Sequence, residues 1–575
     1  MTQKAIVCAT ILIITTWQMQ LFAQEKDTKK IETEIVQVEK SYEPALREAV
    51  RIRQQARMDS LTSSKIPIQY HFKTFAVAST FIPAKAKPSP PPRAAREKLF
   101  SHYAAFGAGS FANVEADFYG SWELNRSQSM SYYLNHKSSQ GGISGIRLDD
   151  DYYDTQLGAD FLSESQDQTY AGFVKLQHQN YNWYGLPNVG FSPETLSGID
   201  ESQTYFGINL GGEVTFERAR VHNIYASYQG FFDDFSSAEH QLTASTNFDL
   251  RVSDYNLKWL LDIDLVNGSF DQNFDGSSDL SYNTLNIGIW PSYRYDKNDF
   301  TADIGIGLVG SFDTENSDTN VNIYPNIDWT YRPAGDLFWA FGGFKGKLTQ
   351  NTYYNFAQNN FFVSPTLTVR PTDTNFDIHA GVSGKFVSFL RYELKVSYAD
   401  QTNYAFYKLN PLQSTNPTEG YQFGNSFQVV YDDLETLKLS GSLHADFQKT
   451  SLSLLAEVFD YSQDSEAEPW NLPEVKITFT GQYALNKQWK LGADIFFVGE
   501  RMDAFTTTDP NFLNAVPVNL DSYLDINLRG DYKYDSRWSF FGRINNLTGQ
   551  DYERFANFEV QGIQFMAGAS YRFDL

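Results

Sequence analysis

The chain has 575 residues, a formal net charge of −23 and one cysteine, Cys8. Tyr, Phe and Trp make up 16% of the residues, although the mean hydropathy is only −0.41. So acidic a chain is not expected to bind nucleic acid, because binding to phosphates needs clustered cations.

The first 23 residues have the pattern of a secretory signal peptide. A basic residue is followed by the apolar run Ala5–Trp17 and then by the small residue Ala23. The run is shorter than the roughly 20 apolar residues that a transmembrane helix needs. We predict that residues 1–23 are removed and that the mature protein begins at Gln24. Loss of Cys8 would leave no cysteine for a disulfide or a thiolate metal site.

Residues 24–98 form a segment of different composition, which we expect to lie in the periplasm or in the lumen of the domain that follows. It holds 15 basic and 9 acidic residues, a net charge of +6, whereas residues 99–575 carry −30. It ends in a Pro-rich basic linker, residues 84–96, which should stay extended. One hypothesis is that this basic segment is drawn into an acidic lumen and sets how open the pore is. The alternatives are that long loops fold inward or that a partner protein closes the pore.

From about Ser101 to the end, segments of alternating polarity follow one another without a helical interruption. In residues 300–310, for example, Ile304, Ile306 and Leu308 share one face. The same alternation predicts lipid-facing positions further on, at Leu439, Leu443, Ile477 and Ile526. A soluble β-sandwich array or propeller also alternates, but such long continuous repetition favours a single closed sheet. We therefore predict that residues 99–575 are an all-β transmembrane antiparallel β-barrel of about 22–24 strands.

The connections between the strand segments also alternate in length. The short turns are predicted at Asp296–Asp299, Pro333–Asp336, Pro371–Asn375, Asn486–Gln488 and Lys533–Ser536. The long loops are predicted at Gly185–Ser202, Gly268–Asp279, Thr349–Asn359, Asp460–Pro473 and Arg501–Val518. Short periplasmic turns with longer outer loops are typical of bacterial outer-membrane barrels.

The last strand segment alternates up to the C-terminus. Phe565, Tyr571 and Phe573 lie on its apolar face. We expect the barrel-insertion machinery to read this strand as its insertion signal, and the outer-membrane lipid to surround the finished barrel.

The C-terminal sequence INNLTGQDYERFANFEVQGIQFMAGASYRF resembles the closing hairpin of the TonB-dependent receptor family, and FGAGSFANVEADFYGSW resembles an early barrel strand. The resemblance implies a transport barrel in the outer membrane of a Gram-negative bacterium. Transporters of this family carry a globular plug, commonly of more than a hundred residues. Only residues 24–98 separate the signal peptide from the first strand, so the chain resembles a plugless relative.

A short run in residues 24–98 is similar to the TonB box of the same family. It consists of Glu34, Ile35, Val36, Gln37 and Val38. Such a segment would add a strand to a periplasmic protein. The alternative is an ordinary amphipathic tether, which we favour because no plug follows the run.

No motif predicts catalysis, and we expect the chain not to be an enzyme. The eight histidines are scattered without an H-E-x-x-H pattern, and no G-x-S-x-G elbow is present. Residues 271–276 resemble the start of an EF-hand calcium loop. The twelfth position of such a loop needs a bidentate glutamate, but here it is Tyr282. We predict no cofactor and no metal site.

Two functions fit these observations. The first is a porin-like channel or transporter for small solutes, built on a TonB-dependent receptor barrel without a plug. The second is a structural subunit of an outer-membrane protein assembly or export complex, in which residues 24–98 bind a periplasmic partner.

Overall fold

The computed structural model describes residues 99–413, 417–505 and 516–575. The signal peptide, the segment 24–98 and the run Glu34–Val38 lie outside these residues, so those three assignments stay predictions.

The described residues fold almost entirely into antiparallel strands. The first thirteen are β1 His102–Gly109, β2 Val114–Asn125, β3 Gln128–Ser139, β4 Tyr152–Glu164, β5 Gln168–Asn182, β6 Ser202–Phe216, β7 Val221–Asp233, β8 Ala238–Val252, β9 Tyr255–Phe270, β10 Leu280–Lys297, β11 Phe300–Asp313, β12 Asp318–Tyr331 and β13 Trp339–Thr349. The others are β14 Thr372–Val387, β15 Leu390–Leu409, β16 Phe427–Asp446, β17 Thr450–Gln463, β18 Val475–Ala484, β19 Trp489–Val498, β20 Arg501–Phe505, β21 Val516–Leu520, β22 Tyr523–Lys533, β23 Trp538–Asn545, β24 Glu553–Phe555, β25 Phe558–Glu559 and β26 Gln564–Phe573.

Twenty-two of these strands form one closed sheet. Each pairs with the wall strands that precede and follow it in the sequence. The first strand, β1, pairs with β2 and also with the last strand, β26, which closes the barrel. The pairs β20–β21 and β24–β25 are small separate hairpins inside two long connections. The predicted all-β barrel of about 22–24 strands is therefore confirmed, with 22 strands in the wall.

The outer face of the barrel is apolar, as the alternation predicts. Ile306 is 50% exposed, whereas Val309, on the opposite face of the same strand, is 4% exposed. Leu439 and Leu443 on β16 are also exposed. Because a closed sheet leaves no free edge, such an apolar outer face suits lipid, which is the arrangement of an outer-membrane barrel.

Aromatic residues gather on this outer face near one end of the barrel. The rings of Trp489 and Tyr532 lie 4.8 Å apart, and those of Trp538 and Tyr571 lie 4.6 Å apart. Aromatic girdles of this kind mark the membrane interface of outer-membrane barrels.

The two ends of the barrel differ in the length of their connections. At the short-turn end, which also holds both chain ends of the barrel, the turns have two to seven residues. At the long-loop end, the extended connections are residues 140–151, 183–201, 350–371, 410–426, 464–474, 499–522 and 546–563. By the usual orientation of such barrels, the long loops face outward from the cell and the short turns face the periplasm.

One predicted turn is wrong. Residues Pro371–Asn375 are not a short turn, because β14 already begins at Thr372, and the connection Ser388–Phe389 is the turn. The pairing of β14 with β15 shifts register between Thr374 and Phe376. This bulge interrupts the alternation of polar and apolar residues at Asn375. The polar residues on either side of it therefore have the composition of a turn, although they belong to a strand.

Helices are few and short. The structure has α1 Pro193–Leu196, α2 Tyr353–Asn359 and a 3-10 turn at Gly420–Gln422. Among the residues that the structure describes, no helix is long and apolar enough to cross a membrane.

Candidate functional site

The connection between β13 and β14, residues 350–371, does not extend into solvent but folds into the barrel; we call it the inner loop. It opens with Thr352, whose hydroxyl accepts a 3.1 Å hydrogen bond from the backbone N–H of Asn355. This cap starts the short helix α2. Tyr353, Phe356 and Ala357 of the helix are buried.

A buried carboxylate on the barrel wall holds the start of the inner loop. Glu239 of β8 is 2% exposed and accepts hydrogen bonds from the backbone N–H groups of Tyr353 at 2.6 Å and Tyr354 at 3.0 Å. The hydroxyl of Tyr282 on β10 donates a third, at 2.6 Å. Three donors to one carboxylate form a charge-assisted cluster, which compensates the cost of burying the group.

The side chain of Tyr353 makes a second anchor. Its hydroxyl donates a 2.7 Å hydrogen bond to Asp233 at the end of β7, and Gln203 of β6 donates to the same hydroxyl at 3.3 Å. Burial, with the nearby charge of Asp233, raises the pKa of Tyr353 well above its usual value. The hydroxyl therefore stays protonated and keeps donating at any physiological pH.

The far part of the inner loop is tied to the wall at two other places. The amide of Gln358 donates a 2.7 Å hydrogen bond to the side-chain oxygen of Gln179 on β5. The backbones of Phe362 and Ser364 exchange hydrogen bonds of 2.9 Å with that of Phe427, the first residue of β16. Strands β5 and β16 are eleven positions apart in a ring of 22. The inner loop thus joins opposite walls of the barrel.

An aromatic core surrounds the inner loop. The rings of Phe362 and Phe558 stack with centroids 3.9 Å apart, and those of Trp183 and Tyr421 meet edge to face at 5.5 Å. Trp183, Tyr421 and Phe558 come from three different long loops. The indole N–H of Trp183 also donates to the backbone oxygen of Phe362 at 3.2 Å. The long loops therefore pack on one another like the core of a soluble domain and cover the outer mouth of the barrel.

A second buried carboxylate joins the loops on the other side of the mouth. Asp503 of β20 is fully buried and accepts backbone hydrogen bonds from Leu409 at 3.3 Å and Ala556 at 3.3 Å. It also interacts with the side chain of Asn471. Burial raises the pKa of Asp503 to about 6, although these hydrogen bonds oppose the shift. One carboxyl group therefore links the loop containing β20 to three other parts of the long-loop end.

The C-terminal residues assigned to the insertion signal lie on β26, on the outer face of the barrel. Phe565 is 56% exposed, and the rings of Tyr571 and Phe573 stack with centroids 5.6 Å apart. Phe573 also stacks on His102 of β1, at the seam where the barrel closes. Their recognition by the insertion machinery stays a prediction.

The residues that close the mouth were not predicted from the sequence. The pattern predicted a long polar loop at Thr349–Asn359 and left inward folding of long loops as one alternative, but it gave Glu239, Asp233 and Asp503 no role. One available signal was the density of aromatic residues in the inner loop, in the sequence YYNFAQNNFF. Among the described residues, no group of three or more His, Cys, Asp or Glu side chains is placed to hold a metal ion.

No protein-family model and no curated protein matches the sequence. The fold, in contrast, is similar to that of several solved outer-membrane proteins. The FrpB iron transporter from Neisseria meningitidis aligns with a TM-score of 0.63 and 11% identity, over 83% of this chain and 82% of that one. The siderophore receptor PirA from Acinetobacter baumannii aligns with a TM-score of 0.62 and 12% identity, over 82% and 80%. The copper transporter OprC aligns with a TM-score of 0.57 and 11% identity, over 83% and 81%.

By name, these three proteins are one siderophore receptor and two metal transporters. At such low identity the likeness concerns the fold. The chain is an outer-membrane β-barrel of 22 strands, and its fold is similar to that of the iron transporter and of the siderophore receptor.

Proposed function

We propose that the chain is a plugless outer-membrane channel or transporter for small solutes, gated at its outer mouth by its own inner loop. The observation that carries this proposal is the anchoring of the inner loop to opposite walls through Gln179 and Phe427. A wall of 22 strands encloses a wide lumen, which would leak solutes if nothing occupied it. The inner loop supplies an obstruction that belongs to the barrel itself.

The nature of the anchors supports a gate. The start of the loop is held by hydrogen bonds to Glu239 and Asp233, and not by a covalent link. Each bond to a charged group contributes about 1.5–3 kcal/mol. A partner protein that competes for a few such bonds can therefore shift the loop without unfolding the barrel wall.

Single-channel conductance in planar bilayers tests the proposal. We expect low conductance from the full-length protein and higher conductance from a variant in which residues 353–366 are replaced by a short Gly-Ser linker. The substitution Glu239→Gln should raise the frequency of openings, because an amide cannot accept all three hydrogen bonds. Glu213→Gln is the matched control, since Glu213 bonds to Asn223 of the wall and not to the inner loop. Equal conductance of the wild type and the loop-replaced protein would contradict the proposal.

A second function has one observation in its favour. The aromatic core that contains Trp183, Phe362 and Phe558 is continuous and buried, so the closed mouth is a stable surface. A permanently closed barrel suits a structural subunit of an outer-membrane assembly or export complex. Purification from the native membrane under mild detergent distinguishes the two functions. A stoichiometric partner that disappears when residues 24–98 are deleted, together with no conductance in any variant, would favour the subunit.

A further inference from the structure

A recess of about 270 Å³ lies against the inner loop, between helix α2 and the inward face of β3 to β7. Five of its eleven lining residues carry side-chain amides, and we call it the amide chamber. The amides are those of Gln156, Gln177, Asn209, Gln229 and Gln358. Four of them belong to the barrel wall, and Gln358 belongs to the inner loop.

The hydrogen-bonding capacity of the amide chamber is only partly used. Asn209 donates a long hydrogen bond of 3.5 Å to Gln229, and its own side-chain oxygen is buried without a partner among the described residues. A buried acceptor without a donor costs about 1–3 kcal/mol. Each amide offers a donor group and an acceptor. The amide groups of Gln156 and Gln177 already donate to Asp154, and that of Gln358 donates to Gln179. The chamber still offers side-chain oxygens as acceptors, and the oxygen of Asn209 has no donor among the described residues.

The charge in the chamber is low. Lys175 is the one charged side chain in its lining, and its ammonium group lies 5.3 Å from the centre of the Phe173 ring. The carboxylate of Asp154 lies behind Gln156 and Gln177 and already accepts hydrogen bonds from both. Tyr133 and Tyr354 add hydroxyl groups and ring surfaces. A multiply charged solute would lose its hydration without gaining a set of opposite charges, which is costly. Hydroxyl and amide groups, in contrast, match what the side-chain amides offer.

We propose that the amide chamber binds one small, uncharged solute that carries several hydroxyl or amide groups. The volume corresponds to roughly nine water molecules, about the size of a single sugar ring. This inference rests on the proposed function and adds the class of solute. Because Tyr354 and Gln358 belong to the inner loop, a bound solute contacts both the wall and the gate. Binding should therefore stabilise the closed position of the inner loop.

Saturation-transfer NMR on the full-length protein in detergent tests this inference with defined probes. The probes are glucose, which has only hydroxyl groups for hydrogen bonding, N-acetylglucosamine, which adds an amide, and citrate as a multiply charged comparison. We expect transfer to at least one of the two sugars and none to citrate. Asn209→Leu and Gln229→Leu should each weaken sugar binding by at least about fivefold, the effect of losing about 1 kcal/mol.

Asn326→Leu is the matched control, because Asn326 lines a different recess of the lumen. It should leave sugar binding unchanged, and heat-modifiable migration verifies that each variant is folded. The inference is overturned if neither sugar receives transfer in the wild type, or if both chamber variants bind as the control does. Its failure is separate from that of the gate. If no sugar binds, the conductance of the loop-replaced barrel still tests whether the inner loop closes the channel. If no variant conducts, saturation transfer still tests whether the chamber binds a sugar.

Discussion

The hydroxyl of Tyr353, on the inner loop, donates a 2.7 Å hydrogen bond to the carboxylate of Asp233 on the barrel wall, 120 residues away in the sequence. Tyr353 is buried and Asp233 is partly buried, so water has little access to the bond while the loop stays in place. It is one of the contacts that decide whether the outer mouth is closed.

Removing this hydroxyl should loosen the inner loop without disturbing the wall. We expect Tyr353→Phe to destabilise the closed position by about 1–3 kcal/mol, since Asp233 loses a buried donor. Hydrogen exchange of residues 350–371 should become faster, whereas exchange in the barrel strands should not change. Tyr255→Phe is the control, because Tyr255 is 59% exposed. Unchanged exchange in the inner loop of Tyr353→Phe would show that this hydrogen bond does not hold the inner loop in place.

The packing of the long loops should depend on pH through Asp503. Its pKa in the folded protein is about 6, above the usual value of an aspartate, so folding favours the protonated carboxyl. The loops should therefore be most stable below about pH 4 and lose about 3 kcal/mol as the pH rises through 6, with little change above pH 7. Hydrogen exchange of residues 546–563 between pH 4 and pH 8, corrected for the intrinsic rates, measures this loss.

Asp503→Asn separates this carboxyl from other titrating groups. An amide has no charge to bury, so the pH dependence of loop exchange should become flatter in this variant. Asp535→Asn is the control, since Asp535 lies in a turn at the short-turn end and is exposed. A pH profile that is the same for the wild type and Asp503→Asn would assign the effect to another group.

The outer and inner faces of a wall strand should respond differently to a charge. Leu439→Arg or Leu443→Arg should lower the free energy of unfolding by about 2–4 kcal/mol, because these side chains point into lipid near the middle of the strand. Ser440→Arg, on the lumen face of the same strand, should be tolerated. Folding titrations into lipid vesicles give the three values. Equal losses on both faces would contradict the orientation of β16.

The segment before the barrel gives two further expectations. The mature protein should begin at Gln24, which intact-mass measurement of the membrane-extracted protein decides.

A variant without residues 24–98 should still fold, because every strand of the closed sheet begins after Ser101. Retained heat-modifiable migration is the expected result. Its loss would show that the segment is needed for barrel formation.

The wall of the barrel could be predicted from the sequence because its signal is local. Ile304, Ile306 and Leu308 alternate with polar or small residues, and the same period continues to Phe573. The strand count follows from repeating this pattern, as does the outward position of Leu439. Local periodicity is sufficient for these features because each strand pairs with its neighbours in the sequence.

The closed mouth could not be predicted in the same way. Glu239 occupies an inward position that normally faces water, and nothing in its neighbourhood indicates that Tyr353 will cover it. The inner loop is polar and aromatic without a clear period, so it fits a solvated loop as well as a packed one. Its contacts depend on which distant strands lie opposite each other, and that follows only from the closure of the whole sheet.

The attachment of the inner loop to β5 and to β16 has a mechanical consequence for the barrel. The inner loop connects strands eleven positions apart in a ring of 22, so it restrains changes in the shape of the barrel's cross-section. If the inner loop detaches at Phe427, the mouth opens and the cross-section becomes free to change shape in the same event. Under the proposed function, the thickness and tension of the surrounding membrane should therefore influence how often the channel opens.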